Sequence, residues 1–177
     1  MVSDNNNTNW PMSTSVYFAH GKESGPWGYK ITALAELARR RGLAVESPDF
    51  RFTYDADERV RYLLSLNPPR GNALVLVGSS MGGYVTSVAS RTLNPRGLFL
   101  IAPALLMPGY QVDTPPCASL VEIVHGWADE VIPVEHSWRF AQQHRVRLHV
   151  LDGNHTLNVH LPRLERLFEN FLDELQL

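Results

Sequence analysis

Apolar residues along this chain fall into two alternating rhythms. Short runs at 16–19, 43–45, 73–77, 98–102, 120–124 and 148–151 are apolar at nearly every position. Strands buried on both faces read this way, as in a parallel sheet covered by helices on each side. Between the runs the spacing lengthens to the helical period. Ile31, Leu34, Ala35 and Ala38 fall at i, i+3, i+4 and i+7, and Gly42 supplies a stop. Residues 56–66 give a second helix, closed before Pro68-Pro69, 81–93 a third, and 134–143 a fourth after Pro133. A fifth starts near His160, with Pro162 tolerable in its first turn. Its Leu161, Leu164, Leu167, Phe168, Phe171, Leu172 and Leu175 make one apolar stripe that reads as core packing. This alternation predicts a three-layer α/β/α sandwich with about six mainly parallel strands. The expected organisation is a polar, disordered tail over 1–14, with Met12 a candidate start, and one domain over 15–177.

Composition narrows the partners. The chain has 177 residues, 44% hydrophobic and 19% charged, with a formal net charge of −2. No global basic field exists to attract nucleic acid or an anionic membrane, and the run Arg39-Arg40-Arg41 reads as a solvated helix end. No apolar run approaches the ~20 residues of a membrane span. The N-terminal stretch lacks the charged and apolar regions of a secretory signal, so the expected location is cytoplasmic. A single cysteine, Cys117, permits no internal disulfide and no thiolate zinc site. His155 and His160 are five apart rather than four, so no metal is expected.

In open α/β sheets reactive groups gather at the carboxyl ends of strands. After the third run comes Gly78-Ser79-Ser80-Met81-Gly82-Gly83, leading into a helix. This fits G-x-S-x-G with Ser80 at the centre. A sharp strand-to-helix turn projects the central side chain above the sheet and crowds the residues two before and two after it. Gly78 and Gly82 relieve that crowding, whereas Ser79 at the centre would be flanked by Val77 and Met81. The phosphate-cradling pattern fails because Tyr84 stands where lysine is needed, and the dinucleotide pattern fails because position 80 is serine.

A serine hydroxyl needs a base, and the base an orienting carboxylate. HGWADEVIP follows the fifth run and Asp152-Gly153-Asn154-His155 the sixth. The chain order Ser80, Asp129, His155 is the nucleophile–acid–base order of G-x-S-x-G enzymes. Asp152 and Glu130 are rival carboxylates, and His20 and His125, each before a glycine, read as structural. Two backbone N–H groups should hold an oxyanion, one from Met81 and one from the loop after the first run. There Gly21 permits close approach, and Lys22 is the expected donor, with Gly21 and Glu23 as neighbours that could share the role. Trp27, Met81, Tyr84, Leu105, Leu106 and Trp127 are candidate acyl-pocket residues.

His20-Gly21, GSSMGG at 78–83, HGWADEVIP at 125–133 and GNH at 153–155 together resemble the α/β-hydrolase superfamily over residues 16–177. The chain is most similar to its small, lidless branch of esterases and serine hydrolases, of the YqiA and retinoblastoma-binding protein 9 type. The resemblance implies a minimal α/β-hydrolase fold with Ser80 as nucleophile, His155 as base and Asp129 as its partner. It implies a small ester as substrate and no cofactor. Two departures stand out. Only the polar tail precedes Val16, so the superfamily's usual first two strands are missing. The segment 103–118, with four prolines, is too short for a cap domain, which predicts a shallow, open site. A non-catalytic binding module on the same scaffold, or acyl transfer and thioester or amide hydrolysis by the same triad, are the alternative readings. Oligomeric state is not legible.

Overall fold

The computed structural model describes residues 14–110 and 115–177. The expected disordered tail, Met12 included, lies outside the described residues, apart from Thr14. The elements run β1 (Ser15–Ala19), α1 (Tyr29–Arg40), β2 (Ala44–Glu46), α2 (Ala56–Ser65), β3 (Leu74–Ser79), α3 (Met81–Leu93), β4 (Gly97–Ile101), β5 (Leu120–Gly126), α4 (Val134–His144), β6 (Arg147–Leu151) and α5 (Leu161–Glu174). Each predicted run and helix is present, with ends shifted by one or two residues. Gly42 ends α1 with φ at +77°, a conformation glycine adopts without strain. Short 3₁₀ turns precede β3 and α5.

The six strands form one sheet in the order β2-β1-β3-β4-β5-β6. Every pairing is parallel, where the sequence suggested mainly parallel. Alternation along the strands sorts side chains to two cores. Val75, Val77, Phe99, Ile101 and Val124 face α1 and α5. Leu74, Leu76, Leu98, Leu100, Val121 and Ile123 face α2, α3 and α4. Both faces of the central strands β1, β3, β4 and β5 are covered, and this is why their runs read as nearly continuously apolar. Phe168 of α5 anchors the first core against Phe18, Phe99 and Phe171.

The strand order sets the position of the site. From β1 the chain moves outward to β2 and then returns to β3 on the other side of β1. The connections after β1 and β3 therefore leave in opposite directions, opening a crevice at their carboxyl ends. The glycine loop after β1 and the serine turn after β3 both meet there. No helix among the described residues is long and apolar enough to cross a membrane.

Candidate active site

Ser80 occupies the turn between β3 and α3 with φ 54° and ψ −121°, a region that non-glycine residues rarely adopt. The surroundings hold it there. Its N–H donates to the Ile101 carbonyl at 3.0 Å, and its carbonyl accepts from Gly83 and Ala104 N–H at 2.9 Å each. The crowding argument applies in detail. A side chain on Gly78 would strike the Gly82 carbonyl and Thr86 Oγ1, and one on Gly82 would strike the Ala19 carbonyl. Gly83 is as tight against Pro103. Ser79 ends β3, nearly buried, beside the turn.

His155 enters on the loop after β6. Asn154 Oδ1 accepts from Thr156 Oγ1 at 2.8 Å and from the Thr156 and Leu157 N–H groups, fixing the loop's turn. Lys30 of α1 ties the same loop down, its Nζ donating to the Thr156 carbonyl at 2.7 Å. Burial lowers the Lys30 ammonium to about 8, although the Asp129 charge pushes it the other way. His155 Nε2 lies 3.1 Å from Ser80 Oγ, and Nδ1 lies 2.8 Å from Asp129 Oδ2. With Nδ1–H donating to the carboxylate, Nε2 presents its lone pair to the serine hydroxyl.

The Asp129 side chain is fully buried. Oδ1 accepts from Val131 and Ile132 N–H at 2.9 and 2.8 Å, and Oδ2 accepts from His155 and from His125 Nε2 at 3.0 Å. Burial alone would raise its pKa, but the hydrogen bonds from His125, His155, Ile132 and Val131 outweigh it and hold the carboxyl well below the usual range. Glu130 and Asp152, the rival carboxylates, are exposed. Cys117 Sγ bonds to Asn94 at the far end of α3 from Ser80.

His125 plays a larger part than its place before a glycine suggested. It is fully buried behind Asp129. Its Nε2–H is shared between Asp129 and the Ile132 carbonyl at 2.9 Å, while Nδ1 accepts from Ser137 Oγ at 2.7 Å. The four-residue spacing to Asp129 within HGWADEVIP was the available signal.

Gly21, Lys22, Met81, Ser80 and His155 line one pocket of about 670 Å³, within the range of small-molecule sites. A Cβ on Gly21 would lie 3.3 Å from the Ser80 Cβ, so glycine lets this loop approach the serine. Met81 opens α3, which leaves its N–H without an intrahelical acceptor. The Lys22 side chain turns away, its ammonium 5.3 Å from the Tyr54 ring centre. The remaining walls come from Tyr29, Lys30 and Ile31 of α1, from Val131 and Ile132, and from Ala104, Met107 and Tyr110 after β4. The segment after β4 is no cap, and its Ala104, Met107 and Tyr110 form one wall of the site.

Five expected pocket residues do not line this space; one of them, Leu106, is half-buried against the core between the sheet and α2, α3 and α4. Tyr84 is buried in the α2–α3 core, its hydroxyl donating to Asp57 at 2.6 Å and its ring behind that of Tyr110. Leu105 is buried in the same core. Trp127 is exposed on the loop after β5. Trp27 is half-exposed with the Arg39 guanidinium 5.1 Å from its ring. Of the named candidates Met81 does reach the pocket. Among the described residues no group of three His, Cys, Asp or Glu side chains is arranged to hold a metal ion.

The model of the alpha/beta hydrolase family matches residues 16–176, and the chain belongs to that family. A hydrolase assigned to the alpha/beta superfamily from Xanthomonas campestris pv. campestris is 34% identical, with a TM-score of 0.78 over 91% of this chain and 99% of that one. Two more distant structures share the fold. Est1E from Butyrivibrio proteoclasticus, solved with ferulic acid, is 18% identical, with a TM-score of 0.75 over 94% and 91% of the two chains. A serine hydrolase without a lid from Xanthomonas campestris is 20% identical, with a TM-score of 0.66 over 93% and 84%. No curated protein matches the chain.

Proposed function

We propose that this protein is a serine hydrolase, a carboxylesterase acting on small or short-chain acyl esters through an acyl-enzyme. The observation that carries the reading is the continuous hydrogen-bonded line from Ser80 Oγ through His155 to Asp129 Oδ2, at 3.1 and 2.8 Å, on a strained turn. His155 Nε2 takes the hydroxyl proton as Ser80 Oγ attacks the ester carbonyl. Asp129 fixes the imidazole tautomer and stabilises the imidazolium. The N–H groups of Met81 and Lys22 receive the oxyanion. His155 then protonates the departing alcohol, and water repeats the cycle on the acylated serine.

The substrate class follows from the walls. Tyr29, Ile31, Met81, Ala104, Met107, Tyr110, Val131 and Ile132 offer apolar contact around the serine, suited to a compact acyl group. The lidless architecture of the Xanthomonas campestris serine hydrolase and the aromatic acid held by Est1E are consistent with a small ester. The test is labelling with a fluorophosphonate, peptide mapping, and turnover of p-nitrophenyl esters of increasing chain length. Stoichiometric adduct on Ser80, with kcat lowered by about 10⁶ in Ser80→Ala, is expected of a triad acting as a unit. A folded protein that takes up no label and leaves every ester intact would refute the reading and favour a binding module.

A further inference from the structure

Arg59 of α2 is the largest fully buried side chain among the described residues. A guanidinium remains charged in proteins, so a full positive charge is enclosed here. Among the described residues no carboxylate lies within ion-pair distance of it. Its acceptors are backbone carbonyls: Nε donates to Thr53 at 3.0 Å, Nη1 to Gly21 at 3.1 Å and His20 at 3.4 Å, and Nη2 to Lys22 at 3.4 Å. The Phe50 ring centre lies 5.8 Å away. Burying a cation against neutral dipoles alone is costly compared with an apolar side chain of the same volume.

Three of those four carbonyls belong to consecutive residues of the loop that approaches Ser80. The Gly21 carbonyl also accepts from His20 Nδ1–H at 2.8 Å, and His20 is itself fixed by Phe50 N–H donating to Nε2 at 2.9 Å. The Gly21 carbonyl is therefore gripped from two sides. It shares one planar, trans peptide with the Lys22 N–H, since the described chain has no cis bond. In a trans peptide the C=O and N–H point in opposite directions, so holding the carbonyl holds the N–H. A cation on the carbonyl oxygen also polarises the peptide and strengthens its N–H as a donor.

We infer that Arg59 is a positioning residue for the oxyanion site: it fixes and polarises the Gly21–Lys22 peptide so that the Lys22 N–H is preset for negative charge developing on a carbonyl bound at Ser80. The inference rests on the serine hydrolase reading. It also explains why a buried charge is kept on α2. The neighbouring carbonyls of His20 and Lys22 are steered by the same fork, which adds to the hold of the loop's own His20 and Ser24 side chains on the Gly21 carbonyl.

The experiment compares wild type with Arg59→Met and Arg59→Lys, each checked for folding by circular dichroism and thermal melting. Kinetics on a p-nitrophenyl ester are paired with inhibition by a matching trifluoromethyl ketone, whose adduct with serine places an oxyanion in the site. Arg59→Met is expected to lower kcat by about 10² to 10³, the effect of losing one oxyanion donor, with KM within about threefold. The inhibition constant of the ketone should rise by a similar factor. Arg59→Lys, with the charge but not the fork, should recover part of both. A folded Arg59→Met with kcat and ketone affinity within threefold of wild type overturns the inference alone. Parallel rises in KM with kcat unchanged also overturn it, since they would report a pocket defect. If Arg59→Met does not fold, Arg59→Lys is judged by the same kcat and ketone criteria. A wild type that neither hydrolyses esters nor takes fluorophosphonate overturns the functional reading, and this inference with it.

Discussion

Replacing Asp129 by asparagine changes one oxygen to an amide nitrogen and leaves volume nearly constant, so its effects can be followed atom by atom. Oδ1 receives two backbone N–H groups, and Oδ2 receives His155 Nδ1 and His125 Nε2. An asparagine oxygen satisfies the backbone pair, which leaves its NH₂ facing two imidazole nitrogens that currently donate. His155 can answer only by shifting its proton to Nε2, which then points a hydrogen at Ser80 Oγ. A base in that tautomer cannot accept the serine proton, and the same substitution in a protease triad lowers kcat by about 10⁴. His125 meets the same conflict. If its Nε2 becomes an acceptor, the buried Ile132 carbonyl loses the donor now 2.9 Å away, at a cost of about 1–3 kcal/mol. Asp129→Asn should therefore lose kcat by about 10⁴ on p-nitrophenyl acetate and about 1–3 kcal/mol in urea unfolding at pH 7. The second loss depends on pH. The folded carboxyl titrates below its ordinary value, so its stabilisation is complete above about pH 4, the unfolded value, and fades as pH falls through the lower folded value. The stability gap between wild type and variant should narrow below pH 4. A variant with kcat within tenfold of wild type, or a gap constant from pH 7 to 3, would refute this account of the acid.

Two further substitutions test the frame around the site. Gly82→Ala places a methyl group against the Ala19 carbonyl, in a strand that cannot recede. It should cost at least the upper end of the ~1–3 kcal/mol range for overpacking, and a loss under 1 kcal/mol by chemical unfolding would contradict the packing described. Lys30→Met probes the partly buried ammonium. Its folded pKa of about 8 lies below the 10.5 of the free side chain, so the fold disfavours the charged form, and that penalty is relieved as pH rises from about 8 to 10.5. Discounted for partial exposure, wild type should gain about 1–2 kcal/mol relative to Lys30→Met between pH 7 and 10.5. A difference that stays flat or reverses would count against it.

What the sequence disclosed about this protein, and what it hid, divides along a physical line. The sheet was legible because burial on both faces leaves a continuous apolar signature at 73–77 and 98–102. Ser80 was separable from Ser79 because the clash that requires Gly78 and Gly82 is local backbone chemistry. The pocket walls were not legible. Which side chains face the crevice depends on the reversal of chain direction between β1 and β3, so Tyr29, Lys30 and Tyr110 reach it while Tyr84, on the helix that follows Ser80, faces α2 instead. Arg59 and His125 lie between these cases. Arg59 falls in register with Ala56, Val60 and Leu63, the buried stripe of α2, and His125 sits in the fully buried stretch of β5. A polar side chain in a core slot must be met by fixed partners or it destabilises the fold. The backbone of a close-packed strand or helix interior has already made its own hydrogen bonds, so beyond a side chain such as Ser137 of α4, which bonds His125, the partners come from loops. Both residues reach loops at the carboxyl edge of the sheet: Arg59 the one carrying Gly21 and Lys22, His125 the one carrying Asp129. An apolar stripe interrupted by one arginine or histidine thus marks where the core is used to hold a loop in place.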